Sequence, residues 1–97
     1  MAERHAEEWH ADALRHRLHE RGLTHLDARK HGAKLIIESG PADDRVPYAR
    51  LQRDTVHLWL LDIHGGRRWE RTPFRATMDD LVETLATDLG WLLAPRE

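Results

Sequence analysis

Cysteine is absent from these 97 residues, which removes disulfide staples, thiolate zinc sites and cysteine nucleophiles together. A cytoplasmic setting suits such a chain. Aromatic residues make up only 6%, so few side chains are available to stack a base or anchor an interface. No apolar run approaches the roughly 18 residues that a membrane-spanning helix needs. The opening MAERHAEEWH has no apolar core of the kind a signal peptide carries, so neither membrane nor leader is expected. Lysine is scarce: thirteen arginines stand against two lysines. With abundant Leu, Ala and Asp, that bias reads first as the mark of a GC-rich bacterial genome and only second as selection for phosphate.

What is present suits one α+β domain over residues 1–97, with 40% hydrophobic content and a modest core. The formal charge of -2 is unevenly spread. Residues 1–34 and 35–75 each hold seven Lys/Arg against six Asp/Glu, while residues 76–97 hold one against five. Six of the eight histidines lie in the first third, so acidification polarises the molecule.

Residues 3–21 are helix formers ended by Gly22, with a thin apolar stripe of Ala11, Leu14 and Leu18. Leu26 and Ala28, then Leu35 and Ile37, alternate on either side of His31-Gly32 and predict a first hairpin. After the loop opened by Gly40-Pro41, Pro47 marks an edge or irregular entry. Ala49 and Leu51 are expected inward, with Tyr48, Arg50 and Gln52 on the other side. A two-residue turn at Asp54-Thr55 leads into VHLWLLDIH, apolar on both faces: Trp59, Leu61 and Ile63 one way, Val56, Leu58 and Leu60 the other. Gly65-Gly66 suits a type I′ turn into a strand from Arg67 to Thr72, ended by Pro73. Thr77 caps a strong helix with Met78, Leu81, Val82, Leu85, Ala86 and Leu89 on one face and Gly90 as its C′ residue. Trp91, Leu92 and Leu93 form an apolar tail. The fold expected is an N-terminal helix, an antiparallel meander of four to five strands and a C-terminal helix packed on the sheet. That order resembles double-stranded RNA-binding domains, although Thr77-Met78-Asp79-Asp80 is acidic where their second helix starts basic.

Catalytic and cofactor motifs are missing: no GxSxG, Walker loop or dinucleotide fingerprint occurs. His16 and His19 share a helix face, but the third-ligand candidates Asp12, Glu20 and His25 are present only because the segment is so polar, so no metal is expected. His57 suits a pair with Asp27 or Glu38. Arginine with interleaved aromatic residues is the remaining chemistry, and Arg50, Arg53, Trp59, Arg67, Arg68, Trp69, Arg71 and Arg75 are the candidate partner-binding or nucleic-acid-binding residues. Glu38, Asp62 and Glu70 stand as their cross-strand ion-pair partners. The first expectation is a non-catalytic protein-interaction module of accessory, antitoxin or immunity type. It would act through an apolar sheet face or the Arg/Trp hairpin, on a protein partner or as a homodimer. A nucleic-acid platform and a small-ligand site are the alternatives; the negative net charge counts against the former.

Overall fold

Strand alternation decides which residues need cover, and the helices settle where that cover is. The computed structural model describes residues 5–93. In chain order it forms α1 (Glu8–Glu20), β1 (Asp27–His31), β2 (Lys34–Ser39), β3 (Val46–Arg53), β4 (Trp59–His64), β5 (Trp69–Ala76) and α2 (Met78–Thr87). The five strands make one antiparallel sheet in sequential order β1-β2-β3-β4-β5, the meander that the turn spacing predicts.

Register sorts the side chains into rows across the sheet. On one face Ala28, Ile37, Ala49 and Ile63 lie side by side, followed by Lys30, Leu35, Leu51 and Leu61. Ala11, Leu14 and Leu18 of α1 and Met78, Leu81, Val82 and Leu85 of α2 join Ala28, Ile37, Ala49, Leu35, Leu51, Leu61 and Trp59 in one buried cluster. Both helices therefore lie on this face. Salt bridges from Arg17 to Asp79 and from Arg21 to Glu83 link them at the surface, each worth at most about 1 kcal/mol in so exposed a setting.

Helix α1 starts at Glu8, so it is shorter than the expected 3–21; residues 3 and 4 lie outside the described residues, and 5–7 are not helical. It ends where Gly22 takes φ 83°. The Gly22 amide donates to His19 O and the Leu23 amide to Leu18 O, both at 3.0 Å, the pair of bonds that closes a Schellman end. Helix α2 follows its apolar period, and the Thr77 hydroxyl accepts from the Asp80 amide at 3.2 Å. Gly90 is not its C′ residue: the C-cap is Asp88. Glycine is needed there for space, because a Cβ would sit 2.9 Å from the Ala86 carbonyl oxygen. Of the apolar tail, Leu92 and Leu93 are buried, while Trp91 is 71% exposed.

Pro47 makes the irregular entry that the sequence allows, in the middle strand and not at an edge: the β2–β3 register slips there, with Ile37 opposite Ala49 and Glu38 opposite Pro47. Four strand features depart from the sequence reading. Tyr48 is the extra residue of that bulge. It turns into the core, where its hydroxyl accepts from Ser39 Oγ at 3.1 Å. Residues 54–58 form a loop closed by Asp54 N–H to Leu58 O at 2.9 Å; β4 thus begins at Trp59, and Val56 and His57 are exposed. His57 consequently meets neither Asp27 nor Glu38. The Gly-Gly turn is a four-residue loop closed by Gly65 N–H to Arg68 O at 3.1 Å, with only Gly66 at positive φ. β5 runs past Pro73 to Ala76, which an edge strand permits. Arg71 and Arg75 oppose Asp62 and Leu60 around a second bulge.

His10 ties α1 to the sheet. It is buried, 3.9 Å from the Trp9 ring and edge-on to Trp59 at 5.0 Å. Its Nδ1 accepts the Glu7 amide at 2.9 Å. Burial, then the charge of Arg53, hold its pKa below the ordinary value against the opposing pull of Glu7. The unfolded chain therefore takes up the proton first. This contribution to stability is complete above about pH 6.5 and is lost as pH falls below it. Urea midpoints measured from pH 7.5 down to pH 5 are expected to drop, and His10→Gln, which can still complete the cap, is expected to flatten that slope. Thr77→Ala is expected to cost about 1 kcal/mol in the same assay, with Thr77→Ser near wild type.

Candidate functional site

The face opposite the helices has no cover among the described residues. One row crosses all five strands: Arg29, Ile36, Arg50, Asp62, Arg71. Beside it run His31, Lys34, Gln52, Leu60 and Arg75. The alternation that sends Leu35, Leu51 and Leu61 under the helices thus sends cations out on the same strands. In these two rows Arg29, Lys34, Arg50, Arg71 and Arg75 stand against a single carboxylate, Asp62. The apolar sheet face expected from sequence is not there: Ile36 and Leu60 are its only aliphatic residues in these rows, and both are half-buried.

Asp62 is 1% exposed. One of its oxygens accepts from Arg50 Nε at 2.8 Å and the other from Arg71 Nε. Arg29 Nε donates to Glu38, also buried, at 2.9 Å, and that bond raises the Arg29 pKa further above its ordinary value against the opposing effect of burial. Arg75 Nε donates to Asp54. All four arginines are therefore held by Nε. Among the described residues only Arg71 Nη2 of their terminal nitrogens is hydrogen-bonded, donating to Gln52 Oε1 at 3.3 Å. The side chains of Arg29, Arg71 and Arg75 are about half exposed, at 51%, 50% and 48%. A guanidinium so fixed presents its remaining fork to an oxyanion with little rotamer entropy left to lose.

Trp69 adjoins this array on β5. The Arg50 guanidinium lies 4.5 Å from its ring centroid, and the His64 ring meets it edge-on at 4.9 Å. Of the sequence candidates, Arg50, Trp69, Arg71 and Arg75 come together. Arg53 and Trp59 do not, because they share the helix-side parity: Trp59 is 3% exposed. Arg53 donates to His5 O at 2.8 Å and Val56 O at 3.3 Å and lies 6.0 Å from the Trp59 ring. Arg67 and Arg68 are exposed in the 65–68 loop, where Arg68 pairs with Glu70 at 3.9 Å. Arg29 and Lys34 are functional candidates that the sequence reading missed. Their alternation with Ala28 and Leu35 carried the signal.

The other polar clusters are spent internally. A cavity of about 420 Å³ is lined by Arg15, His19, His25, Asp27 and Arg45 among others. Asp27 there accepts from Arg15, the Ala28 amide and Arg45. Burial is the largest influence on the Asp27 carboxyl and acts to raise it, but those hydrogen bonds together outweigh it and hold the pKa low. His16 pairs with Glu20 at 2.9 Å and His19 donates to Leu26 O at 2.7 Å. Among the described residues no group of three or more His, Asp or Glu is arranged to hold a metal.

No family model, curated protein or solved structure matches this chain, so the reading of this face rests on its own geometry. Asp62→Asn removes the buried charge beneath two guanidiniums. A fully buried pair broken on one side loses roughly 3–5 kcal/mol. The half-exposed Arg71 can be rehydrated, so a loss of about 2 kcal/mol is expected from urea unfolding.

Proposed function

We propose that this chain is a non-catalytic protein-interaction module, a small cytoplasmic bacterial accessory protein of antitoxin or immunity type, that docks an acidic partner surface on its uncovered sheet face. The observation that carries this reading is the pair Arg29 and Arg71, half exposed and anchored through Nε over the buried Glu38 and Asp62. Those two carboxylates are hidden from an incoming partner and the forks of Arg29 and Arg71 are not, so the face offers cations to an oxyanion. Ile36 and Leu60 between them supply apolar contact, and arginine with tryptophan is the usual composition of an interface anchor. An isologous dimer through this face would set arginine against arginine, which favours a different chain as partner.

Single-stranded nucleic acid is the second reading, favoured by Trp69 beside Arg50. Sheets that read single strands stack two or three bases on aromatic side chains. The open rows of β2, β3 and β4 offer Ile36, Gln52 and Leu60 instead, and Trp69 lies on an edge strand with Arg50 already over its ring. The two readings separate by titrating the protein with polyglutamate and with a single-stranded oligonucleotide of matched charge. Polyglutamate is expected to bind in a salt-dependent manner, to be lost on combined Arg29→Glu and Arg75→Glu, and to be indifferent to Trp69→Leu. If the oligonucleotide binds more tightly and Trp69→Leu weakens it by the roughly 1–3 kcal/mol of a stacked base, the protein-partner reading falls.

A further inference from the structure

Two exposed apolar side chains, Trp9 at 64% and Val56 at 47%, stand at the mouth of one cleft of about 290 Å³, between the first half of α1, the 54–58 loop and the start of α2. Beneath them its walls are the buried His10, Trp59 and Met78. The cleft belongs to the helix layer and shares no residue with the arginine rows of the sheet face. Independently of the reading above, we infer that it binds a small aromatic carboxylate, a free molecule of one or two rings whose acid group accepts from His10 Nε2–H.

His10 supplies the polar anchor. The Glu7 amide donates to Nδ1 at 2.9 Å, so the neutral ring carries its proton on Nε2. No nitrogen or oxygen among the described residues accepts that proton. The one side-chain nitrogen or oxygen there that is both sealed from solvent and without a partner is Arg53 Nε. His10 Nε2 is therefore not sealed, and the cleft is the open space that its ring lines. A buried ring with one N–H left for a ligand is the kind of polar group that fixes orientation in an otherwise apolar site.

Charge selects the acceptor. Arg53 touches two walls of the cleft: its Nη2 donates to Val56 O at 3.3 Å, and its guanidinium lies 6.0 Å from the Trp59 ring centroid. Its hydrogen bonds run to the backbone carbonyls of His5 and Val56, and no carboxylate among the described residues pairs with it. At the His10 ring the positive charge of Arg53 outweighs the negative charge of Glu7, which favours an anionic acceptor over a neutral one. The acid on the rim, Asp79, is committed to Arg17. The walls select a ring. Trp9, His10 and Trp59 form a run of aromatic contacts from surface to core, with centroids 3.9 Å and 5.0 Å apart, and a planar ligand laid on the exposed Trp9 extends it. The volume lies at the small end of ligand sites, which span about 300–1,000 Å³, and so limits the occupant to one or two rings.

The test uses the full chain with naphthoate as the probe, and its methyl ester and its saturated decalin counterpart as controls. Calorimetry gives the affinities, and a long-range proton–nitrogen correlation spectrum reports on the histidine rings. Naphthoate is expected to bind roughly tenfold more tightly than either control, and His10, among the eight histidines, is expected to be the ring whose Nε2 resonance moves. Trp9→Ala, at an exposed side chain, is expected to weaken binding roughly tenfold while circular dichroism stays native. Arg53→Gln is expected to erase the preference for the acid over its ester and to keep the preference for the aromatic ring. Combined Arg29→Glu and Arg75→Glu, on the opposite face, is expected to leave naphthoate affinity unchanged. No measurable binding, equal affinity for acid and ester, an unaltered affinity in Trp9→Ala, or loss of binding in the sheet-face variant overturns the cleft inference and leaves the acidic-partner reading to polyglutamate. Failure of polyglutamate to bind, with naphthoate bound as expected, overturns that reading and leaves the cleft.

Discussion

Asp62 sits at the centre of an uncovered sheet, and the order of that whole face depends on what it holds. Burying a carboxylate is costly unless its charge is matched and its lone pairs are used. Here each oxygen receives one Nε, from the strand on either side. The bonds run across β3, β4 and β5, so they fix side chains where no helix packs against them. Drawn down to Asp62, Arg50 and Arg71 lie along the sheet with their alkyl stems, instead of extending into water. The same pair of bonds that settles Asp62 also orients the forks outward. Glu38 beneath Arg29 repeats the device on β1 and β2, so stability and presentation of charge on this face share one cause.

The constraint upstream of this is chain length. Two helices of 13 and 10 residues can roof one face of a five-stranded sheet and no more, and α1 contributes only a thin stripe of Ala11, Leu14 and Leu18 with His10 beside it. The core therefore forms on the face whose rows are continuous in Leu, Ile and Ala. A strand apolar on both sides, as β4 is at Trp59 to Leu61, must then leave one side to its neighbours' side chains. Leu60 is that residue, half-buried among Gln52 and Arg75 of its row.

Much of this was legible in the sequence where one element decides its own outcome. Helix α2 follows from its period and from Thr77, and the parity of Trp59, Leu61 and Ile63 follows from alternation alone. What escaped depends on pairing between elements. The bulge that turns Tyr48 inward exists only in the register of β2 against β3, and nothing local to Pro47-Tyr48 announces it. Gly65-Gly66 satisfies several turn types, and the ladder from His64 to Trp69 selects the four-residue loop. Trp59 and Arg53 were grouped with Arg50 because they are near it in sequence, whereas parity separates them. Which parity would be buried was settled only by where the helices dock.

That separation also changes what the net charge means. A formal charge of -2 argues against an anionic partner only if charge is spread evenly, and here it is layered. Arg17 and Arg21 are held on the helix side by Asp79 and Glu83, and α2 adds Asp80 in its first turn. The acids on the sheet side are either buried, as Asp62 and Glu38 are, or engaged, as Asp54 is by Arg75. A molecule acidic on one layer and basic on the other orients an approaching charged surface before contact, through a field that acts over about a Debye length of 8–10 Å. The helix layer then repels an acidic partner that arrives from the wrong side. The acids of α2 thus lie on the helix layer and leave the opposite sheet face basic.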